Sequence, residues 1–371
     1  MSGALTRIPV NALDRAVAAE RDELHAAITG VLDSGWYVLG PETEAFEREF
    51  AEFVGVSECI GVGNGTDALE IALLAVGVKP QDRVATVANA GMYATTAILK
   101  IGARPLFVDV APGNLLMDAG GLRAELEQHG RAVAAVVVTH LFGQFADLTE
   151  LIAMCQQLGV AVVEDCAQAA GARRGTRHAG SLGTAGTFSF YPTKNLAALG
   201  DGGAVVTSDP DLAARVRQLR QYGWDRKYHA VTPGGRNSRL DELQAAVLRR
   251  RLPRTVAGNS ARRSIVRRYR DALADGRAMV LNAWDESYAA HLAVMSTPTR
   301  AADRDHLAAA GIGTDVHYPI PDHRQPVLAH LPPAPLPVTE AAAGEVLTLP
   351  CFPQLRDDEI ERVCEALRML P

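Results

Sequence analysis

The feature that most restricts the fold is an alternation of short apolar segments with longer amphipathic ones between residues 58 and 207. The apolar segments predict strands at 58–62, 83–87, 104–108, 133–138, 160–164 and 203–207. The stretches between them predict helices at 66–77, 94–100, 118–128 and 147–158. Alternating strands and helices form a mainly parallel sheet covered by helices on both faces. The sequence therefore predicts an α/β protein.

The length of 371 residues allows two domains that each bury a core. Beyond residue 238 the regular alternation ends and arginines crowd 249–270. We interpret this arginine-rich segment as the solvated face of a linking helix, because aromatic residues are not interleaved with it as in a nucleic-acid patch. We predict a large domain at 1–250, and a linking helix with a small α+β domain at 251–371.

Composition excludes several classes of function. The net charge of −6 argues against general nucleic-acid binding, and five cysteines form neither a disulfide framework nor a zinc pattern. The N-terminus lacks the apolar core of a signal peptide, and no apolar run approaches the ~20 residues of a membrane span. We therefore expect a cytoplasmic protein without membrane or nucleic-acid partners.

A glycine-containing turn precedes the first predicted helix of the alternating region. Gly63, Asn64, Gly65 and Thr66 lie between strand 58–62 and helix 66–77. Glycines let the backbone approach an anion, and free N–H groups at a helix N-terminus bind phosphate. Thr66 is the expected N-cap. A plain glycine turn before a capped helix explains this motif alone equally well.

Asp165 ends the apolar run 160–163 after Glu164, so we expect it to be partly buried. A buried carboxylate needs a cation or hydrogen-bond donors, and a protonated pyridine nitrogen is such a cation. Gln168, three residues later, can donate to a phenolic oxygen on the same ring. The alternative is that Asp165 only caps the next turn.

Lys194 lies in a segment of aromatic, glycine and proline residues, Gly186–Asn195. Apolar surroundings lower the basicity of a lysine and make it able to form a Schiff base. Ser189 can donate to a phosphate. A surface lysine on a loop is the alternative. The glycine-containing turn at 63–66, which we call the phosphate cradle, the acid at a strand end and the later lysine together indicate a site for pyridoxal 5'-phosphate (PLP).

The chain resembles the DegT/StrS-type sugar-nucleotide aminotransferases, whose fold is that of aspartate aminotransferase (PLP fold type I). The resemblance covers nearly the whole chain, and the motifs that carry it lie at 35–41, 63–69, 164–168, 193–196 and 234–242. It implies that Lys194 binds PLP as a Schiff base and moves protons, and that Asp165 pairs with the pyridine nitrogen. It further implies that Gln168 binds the phenolic oxygen and that His140 lines the site as a third catalytic residue.

The resemblance also implies a homodimer with shared active sites. Gly65, Thr66 and Ser189 would hold the cofactor phosphate, and Asn237 would reach the phosphate of the neighbouring subunit's cofactor. Many members of the family stack an aromatic residue on the ring. Met92 falls on that position here, so Tyr93 is the candidate for stacking.

The segment 316–325 resembles the subgroup that aminates carbon 3 of dTDP-3-keto-6-deoxyhexoses. We infer substrate contacts for His317, Tyr318 and His323, and for Tyr222, Lys227 and Tyr228 from the partner subunit. The alternatives are loop packing for the first three and a solvated loop for the others. The spacing of His317, His323 and His330 matches no common metal site, so no metal is expected.

The sequence thus predicts a PLP-dependent aminotransferase that cycles through pyridoxamine 5'-phosphate. Glutamate is the expected amino donor and a dTDP-linked 3-keto-6-deoxyhexose the acceptor, in the biosynthesis of an antibiotic or surface-glycan aminosugar. Amination at carbon 4 is the nearest alternative. A nicotinamide oxidoreductase would need Gly-x-Gly-x-x-Gly, which Gly61, Gly63 and Gly65 do not supply. A non-catalytic regulator would be expected to lack Lys194 or Asp165.

Overall fold

The structure is a computed structural model, and it describes residues 7–371 except 274, 275, 277, 282–284 and 333. The first six residues of the N-terminus discussed above therefore lie outside the described part. The α-helices of the described part are α1 (Leu13–Ser34), α2 (Pro41–Val54), α3 (Gly65–Ala75), α4 (Tyr93–Lys100), α5 (Ala119–His129), α6 (Thr149–Leu158), α7 (Pro210–Leu219), α8 (Glu242–Arg251), α9 (Thr255–Ala272), α10 (Arg300–Ala309), α11 (Pro337–Glu345) and α12 (Asp357–Arg368).

Strands of the described part form one large sheet and three small ones. They are β1 (Glu58–Val62), β2 (Arg83–Thr86), β3 (Arg104–Phe107), β4 (Val133–Thr139), β5 (Ala161–Asp165), β6 (Arg173–Arg174), β7 (Arg177–His178), β8 (Ala185–Ser189), β9 (Gly203–Thr207), β10 (Trp224–Arg226), β11 (His229–Ala230), β12 (Met279–Val280), β13 (Ala293–Ser296) and β14 (Val346–Leu349). None of the helices in these residues combines the length and apolar composition that crossing a bilayer requires.

The large sheet has the strand order β1-β9-β8-β5-β4-β2-β3. Strand β9 is antiparallel to both of its neighbours, and the remaining pairs are parallel. The predicted α/β fold with a mainly parallel sheet is confirmed. The strand β8 was not predicted, because its sequence Ala-Gly-Thr-Phe-Ser lacks the continuous apolar character of the other buried strands.

Helices cover both faces of this sheet, so alternate residues of one strand enter different cores. In β4, Ala135 and Val137 pack with α3, α4 and α7, whereas Val136 and Val138 pack with α5 and α6. All four side chains are fully buried. Burial on both faces explains the unbroken apolar run of this strand, since neither face can carry polar residues without leaving them unpaired.

Strands β1, β8, β5 and β4 run in the same direction, so their carboxyl ends meet at one edge of the sheet. Ser189 and Asp165 end β8 and β5, and α3 begins three residues after the end of β1. Ligands of open α/β sheets bind at this edge. The topology therefore brings together the cradle, the acid and the serine predicted from sequence.

The C-terminal part has its own antiparallel sheet, β12-β13-β14, packed against α9, α10 and α12. The arginines of the linking region mostly form ion pairs, as Arg249 does with Glu49 and Arg251 with Glu20. These pairs tie the linking region to α2 and α1. The division of the chain into domains at residue 250 stays a prediction.

Candidate active site

Asn64 forms the N-cap of α3 at the carboxyl end of β1. Its backbone is extended, and its Oδ1 accepts a hydrogen bond of 2.8 Å from the N–H of Asp67. The expectation that Thr66 is the N-cap is therefore wrong. Asn64 is the residue that accepts a hydrogen bond from the free N–H groups at the helix N-terminus. Thr66 lies within the first turn of the helix and lines the cavity described below.

Two close approaches make the cradle compact. A Cβ added to Gly65 would lie 2.6 Å from the Cβ of Ser189, and one added to Gly203 would lie 2.5 Å from the carbonyl carbon of Asn64. Both separations are too short for real side chains. Glycine at these two positions lets the N-terminus of α3 lie directly against Ser189, with N–H groups and hydroxyls positioned to bind an anion.

A cavity of about 660 Å³ opens at this edge of the sheet. The predicted site residues that line it are Gly65, Thr66, Tyr93, Asp165, Gln168, Ser189, Lys194, His317 and Tyr318. This volume lies within the ordinary range for small-molecule sites. The topology thus places side chains from widely separated parts of the sequence around one cavity.

Asp165 and Lys194 both lie in the cavity wall, and the charge of each affects the pKa of the other. Burial raises the pKa of Asp165, opposed by the N–H of Ala167, which donates to its Oδ1, and by the charge of Lys194. Burial lowers the pKa of Lys194 to about 8, opposed by the charge of Asp165. An amine with this pKa is about one-tenth deprotonated at pH 7, a far larger fraction than for an ordinary lysine, so it can act as a nucleophile.

Gln168 is oriented by two hydrogen bonds. Its Oε1 accepts from the N–H of Phe142, and its Nε2 donates to the Tyr318 hydroxyl at 3.2 Å. Tyr93 packs edge-on against Tyr318, with ring centroids 6.2 Å apart. Met92 instead packs toward an apolar cluster around Phe107 and does not line the cavity. Tyr93 lines the cavity where Met92 does not, and it stays the candidate for ring stacking.

His140 does not line the cavity, contrary to the expectation from sequence. Its ring is fully buried, with Nε2 2.9 Å from Glu164 and Nδ1 accepting from the N–H of Ala146 at 3.0 Å. A neutral ring that accepts at Nδ1 carries its proton on Nε2 and donates to Glu164. Asp165 follows Glu164 directly in the chain. The hydrogen bond from His140 to Glu164 therefore helps to hold the end of β5, and with it Asp165, from the side away from the cavity.

Glu164 is held by many donors. Burial would raise its pKa, but the hydrogen bonds from His140 and from the N–H groups of Gly183 and Gly180 lower it overall. His140, Glu164 and Cys166 are close enough to share a metal ion. Burial raises the pKa of the Cys166 thiol well above its usual range, and the other two residues are already hydrogen-bonded. This arrangement is a buried hydrogen-bond cluster rather than a metal site.

Several residues predicted to contact the substrate, and Asn237, predicted to contact the cofactor phosphate, lie away from this cavity. The His323 ring is buried against Phe107 and its Nε2 contacts Glu340 at 2.9 Å, so loop packing accounts for it. Lys227 and Tyr228 are exposed on the β10–β11 hairpin. The other two, Tyr222 and Asn237, are exposed on the segments that flank this hairpin. Within one chain these four residues do not reach the cavity, which leaves a role in a neighbouring subunit's site as a prediction.

The cavity wall also contains polar residues to which sequence analysis gave no role. They are Asn11, Asn64, Thr139, Tyr191, Thr193, Asp201, His291 and Asp315. Asn64 could have been recognised as an N-cap three residues before Asp67. Asn11 and His291 are far in sequence from the motifs of the site, and no local pattern marks them.

The DegT/DnrJ/EryC1/StrS aminotransferase family matches this chain over residues 18–368. The chain belongs to this family, which agrees with its fold and with the cavity that joins Lys194 to Asp165. The family assignment favours an aminotransferase over the nicotinamide oxidoreductase considered above.

Similar proteins of known name support the assignment. A dTDP-3-amino-3,4,6-trideoxy-alpha-D-glucose transaminase of Micromonospora megalomicea subsp. nigra is 42% identical over 357 residues, covering 94% of this chain and 95% of the relative. The crystal structure of S. venezuelae DesV in complex with a ketimine intermediate is similar with a TM-score of 0.93 and 39% identity over 98% of each chain. NtdA from Bacillus subtilis with bound cofactor PMP is similar with a TM-score of 0.91 and 29% identity, covering 100% of this chain and 86% of NtdA.

Proposed function

We propose that this protein is a PLP-dependent aminotransferase that passes an amino group from glutamate to carbon 3 of a dTDP-linked 3-keto-6-deoxyhexose. The observation that carries the proposal is one cavity in which a low-pKa lysine, Lys194, lies with a buried acid, Asp165, and a glycine cradle. The printed names of the trideoxyglucose transaminase and of DesV support the sugar class. The cytoplasmic location predicted from sequence belongs to this proposal.

The residues present fit PLP. The phosphate would be bound by Gly65, Thr66 and Ser189, where a helix N-terminus and two hydroxyls meet without an intervening side chain. A protonated pyridine nitrogen would supply the cation that the buried Asp165 requires. Tyr93 would cover the ring from the cavity side.

PLP, when bound, supplies an electron sink for the substrate carbon. This chain provides the groups that bind and move protons around it. Asp165 keeps a positive charge on the ring nitrogen, and Gln168 orients the ring by donating to its phenolic oxygen. Lys194 Nζ, with a pKa of about 8, is basic enough to take a proton from a substrate carbon and acidic enough to return it near neutral pH.

Charge balance supports a shared site. Among the described residues that line the cavity, Lys194 is the only lysine or arginine, while Asp165, Asp201 and Asp315 are acids. Glutamate brings two carboxylates and a nucleotide sugar brings a diphosphate, so we infer that a neighbouring subunit contributes further cations. The exposed hairpin offers Arg226 and Lys227 to a neighbouring subunit, near Asn237 on the same surface segment. A homodimer that exchanges these segments would meet the need.

Product analysis tests the proposal. The purified protein would be incubated with PLP, ¹⁵N-glutamate and either a dTDP-3-keto- or a dTDP-4-keto-6-deoxyhexose. The account predicts ¹⁵N bonded to carbon 3, detected by NMR, from the 3-keto compound. Amination only at carbon 4 would establish the alternative reaction, and failure to aminate either sugar would reject the proposal.

The cradle makes a separate prediction. Gly65→Ala is expected to weaken PLP binding about ten- to hundredfold, because the new methyl group must displace Ser189 from the phosphate. Gly30→Ala, in α1, is the control, since a Cβ there would meet nothing within 4 Å. Fluorescence titration of the protein with PLP would measure both affinities. Equal affinity of the Gly65→Ala variant and the parent protein would contradict the cradle.

A further inference from the structure

The hydroxyl of Ser238 joins the phosphate cradle to the segment 236–238. Its Oγ accepts a hydrogen bond of 2.9 Å from the N–H of Gly63, the first residue of the cradle. It donates a hydrogen bond of 2.6 Å to Oδ2 of Asp67, in the first turn of α3. Only 2% of the surface of Ser238 is exposed. Because unpaired polar groups at a buried place are costly, these two bonds hold the segment against the cradle.

A second contact to the same segment lies one turn further along α3. Glu70 is fully buried and forms ion pairs with Arg236 and, at 2.8 Å, with Lys100 of α4. Asp67 and Glu70 are three residues apart, so they lie on one face of the helix. This face of α3 therefore holds the segment at both of its ends.

Asn237 lies between these two contacts, and its side chain is exposed. The backbone is extended here, since Asn237 pairs with Gln221 in an isolated antiparallel bridge. The N–H groups of Arg236 and Ser238 donate to carbonyl oxygens at the C-terminal end of α7, at 2.8 and 2.9 Å. Side chains alternate along extended backbone, so Asn237 points away from α3 when its two neighbours point toward it. The contacts of the neighbours thus determine the direction of Asn237.

The first turn of α3 has contacts of two kinds. Gly65 and Thr66 line the cavity, where they would bind the phosphate of this subunit's cofactor. Asp67 follows them directly in the chain and accepts from Ser238 instead. The four residues of the two contacts, Asp67, Glu70, Arg236 and Ser238, do not line the cavity. Any effect that they have on cofactor binding must therefore pass through other residues.

We propose that the pairs Asp67–Ser238 and Glu70–Arg236 position Asn237 for the phosphate of the neighbouring subunit's cofactor. Helix α3 then serves one site directly and the other through Asn237, and Arg236 and Ser238 are positioning residues for the neighbouring site. The inference rests on the proposed function, which supplies the dimer with shared sites and the role of Asn237. A loosened Asn237 would have to be ordered on binding, and this cost would weaken the affinity of the neighbouring site for PLP.

Hybrid dimers separate this effect from any effect on the cradle of the same chain. One chain is the parent, and the other contains Lys194→Ala with or without Ser238→Ala. The parent subunit then has the only Lys194 and a native cradle, whereas its neighbouring Asn237 comes from the second chain. Titration with PLP, followed by the Schiff-base absorption, measures the affinity of that one site. Ser264→Ala in the second chain is the matched control, because Ser264 is exposed on α9.

We expect the parent subunit of the hybrid to bind PLP about tenfold more weakly when the second chain contains Ser238→Ala. Ser264→Ala should leave the affinity unchanged. Arg236→Gln, which leaves Glu70 its partner Lys100, should weaken binding in the same arrangement and tests the inference if Ser238→Ala fails to fold. Equal affinities with and without these substitutions would overturn the inference. So would a loss that appears only when Ser238→Ala and the native Lys194 are in one chain.

Amide hydrogen exchange gives a second readout, in homodimers free of PLP. Peptides that cover 234–241 should exchange faster in Ser238→Ala than in Ser264→Ala, because one of the two contacts to α3 is lost. Equal exchange would contradict the positioning role of Ser238. Neither measurement requires aminotransfer. Product formation without the effect across subunits would reject this inference alone, and the effect without product would reject the proposed reaction alone.

Discussion

Lys194→Ala is expected to lower the rate of transamination by about 10³–10⁴-fold or more, because it removes both the nucleophile and the acid–base group. Lys194→Arg is the matched control, since it keeps a cation near Asp165 but cannot form a Schiff base. Rates would be measured from glutamate and the ketosugar under identical loading with PLP. Activity of either variant within tenfold of the parent protein would contradict the assigned role.

Lys194→Ala also tests whether the two subunits of a dimer share their active sites. Asn237→Asp should also be inactive as a homodimer, because it would place a negative charge against the neighbouring cofactor's phosphate. After subunit exchange between Lys194→Ala and Asn237→Asp, each mixed dimer would contain one site with both native residues. An equal mixture should regain about a quarter of the parent activity. If the residues of one subunit form the whole site, mixing should restore nothing.

Asp165→Asn is expected to lower kcat about 10²–10³-fold, the cost of removing one partner from a buried ion pair. The carboxylate is buried at the end of β5, where the pyridine nitrogen is its proposed cation. Asparagine has a similar shape but cannot retain the ring's positive charge. Steady-state rates at saturating PLP would measure the loss, and a kcat equal to that of the parent protein would rule out the proposed pairing.

Asp165→Asn should lower activity but raise the free energy of unfolding of the protein free of PLP. Burial raises the pKa of Asp165 in the folded state, so ionisation of this group opposes folding at pH values above that pKa. Asp165→Asn should therefore unfold at a higher urea concentration than the parent protein at neutral pH. The difference should shrink as pH falls through the folded-state pKa toward the unfolded value. A destabilised variant at neutral pH would show that the carboxylate has a strong native partner without PLP.

Local patterns predicted much of this molecule. Strand β1 and the acid that ends β5 follow from an apolar run and a change to polar residues, and Lys194 follows from its unusual neighbours. Strand β8 escaped prediction because its burial comes from packing between β5 and β9, not from its own composition. His140 was misplaced for a related reason. A residue just beyond a strand end can point into the cavity or behind it, and only the contact with Glu164 decides.

His291 shows a further limit. Its Nδ1 lies 3.0 Å from Oδ1 of Asn195, so its tautomer depends on the orientation of that amide. The orientation depends in turn on Ala289 and Asn259, and the last is separated from Asn195 by 64 residues. No periodicity or motif records such a chain of contacts. The sequence can indicate which chemical groups a site needs, whereas the three-dimensional contacts determine how those groups are held.

The most direct test of the account is the visible absorption spectrum of the purified protein with PLP, recorded beside Lys194→Ala. The account predicts a Schiff-base band in the parent protein that glutamate bleaches, and no such protein-bound band in the variant. Borohydride treatment should fix the cofactor to the peptide that contains Lys194. A parent protein without the band, or one in which the cofactor is fixed to another lysine, would contradict the central claim.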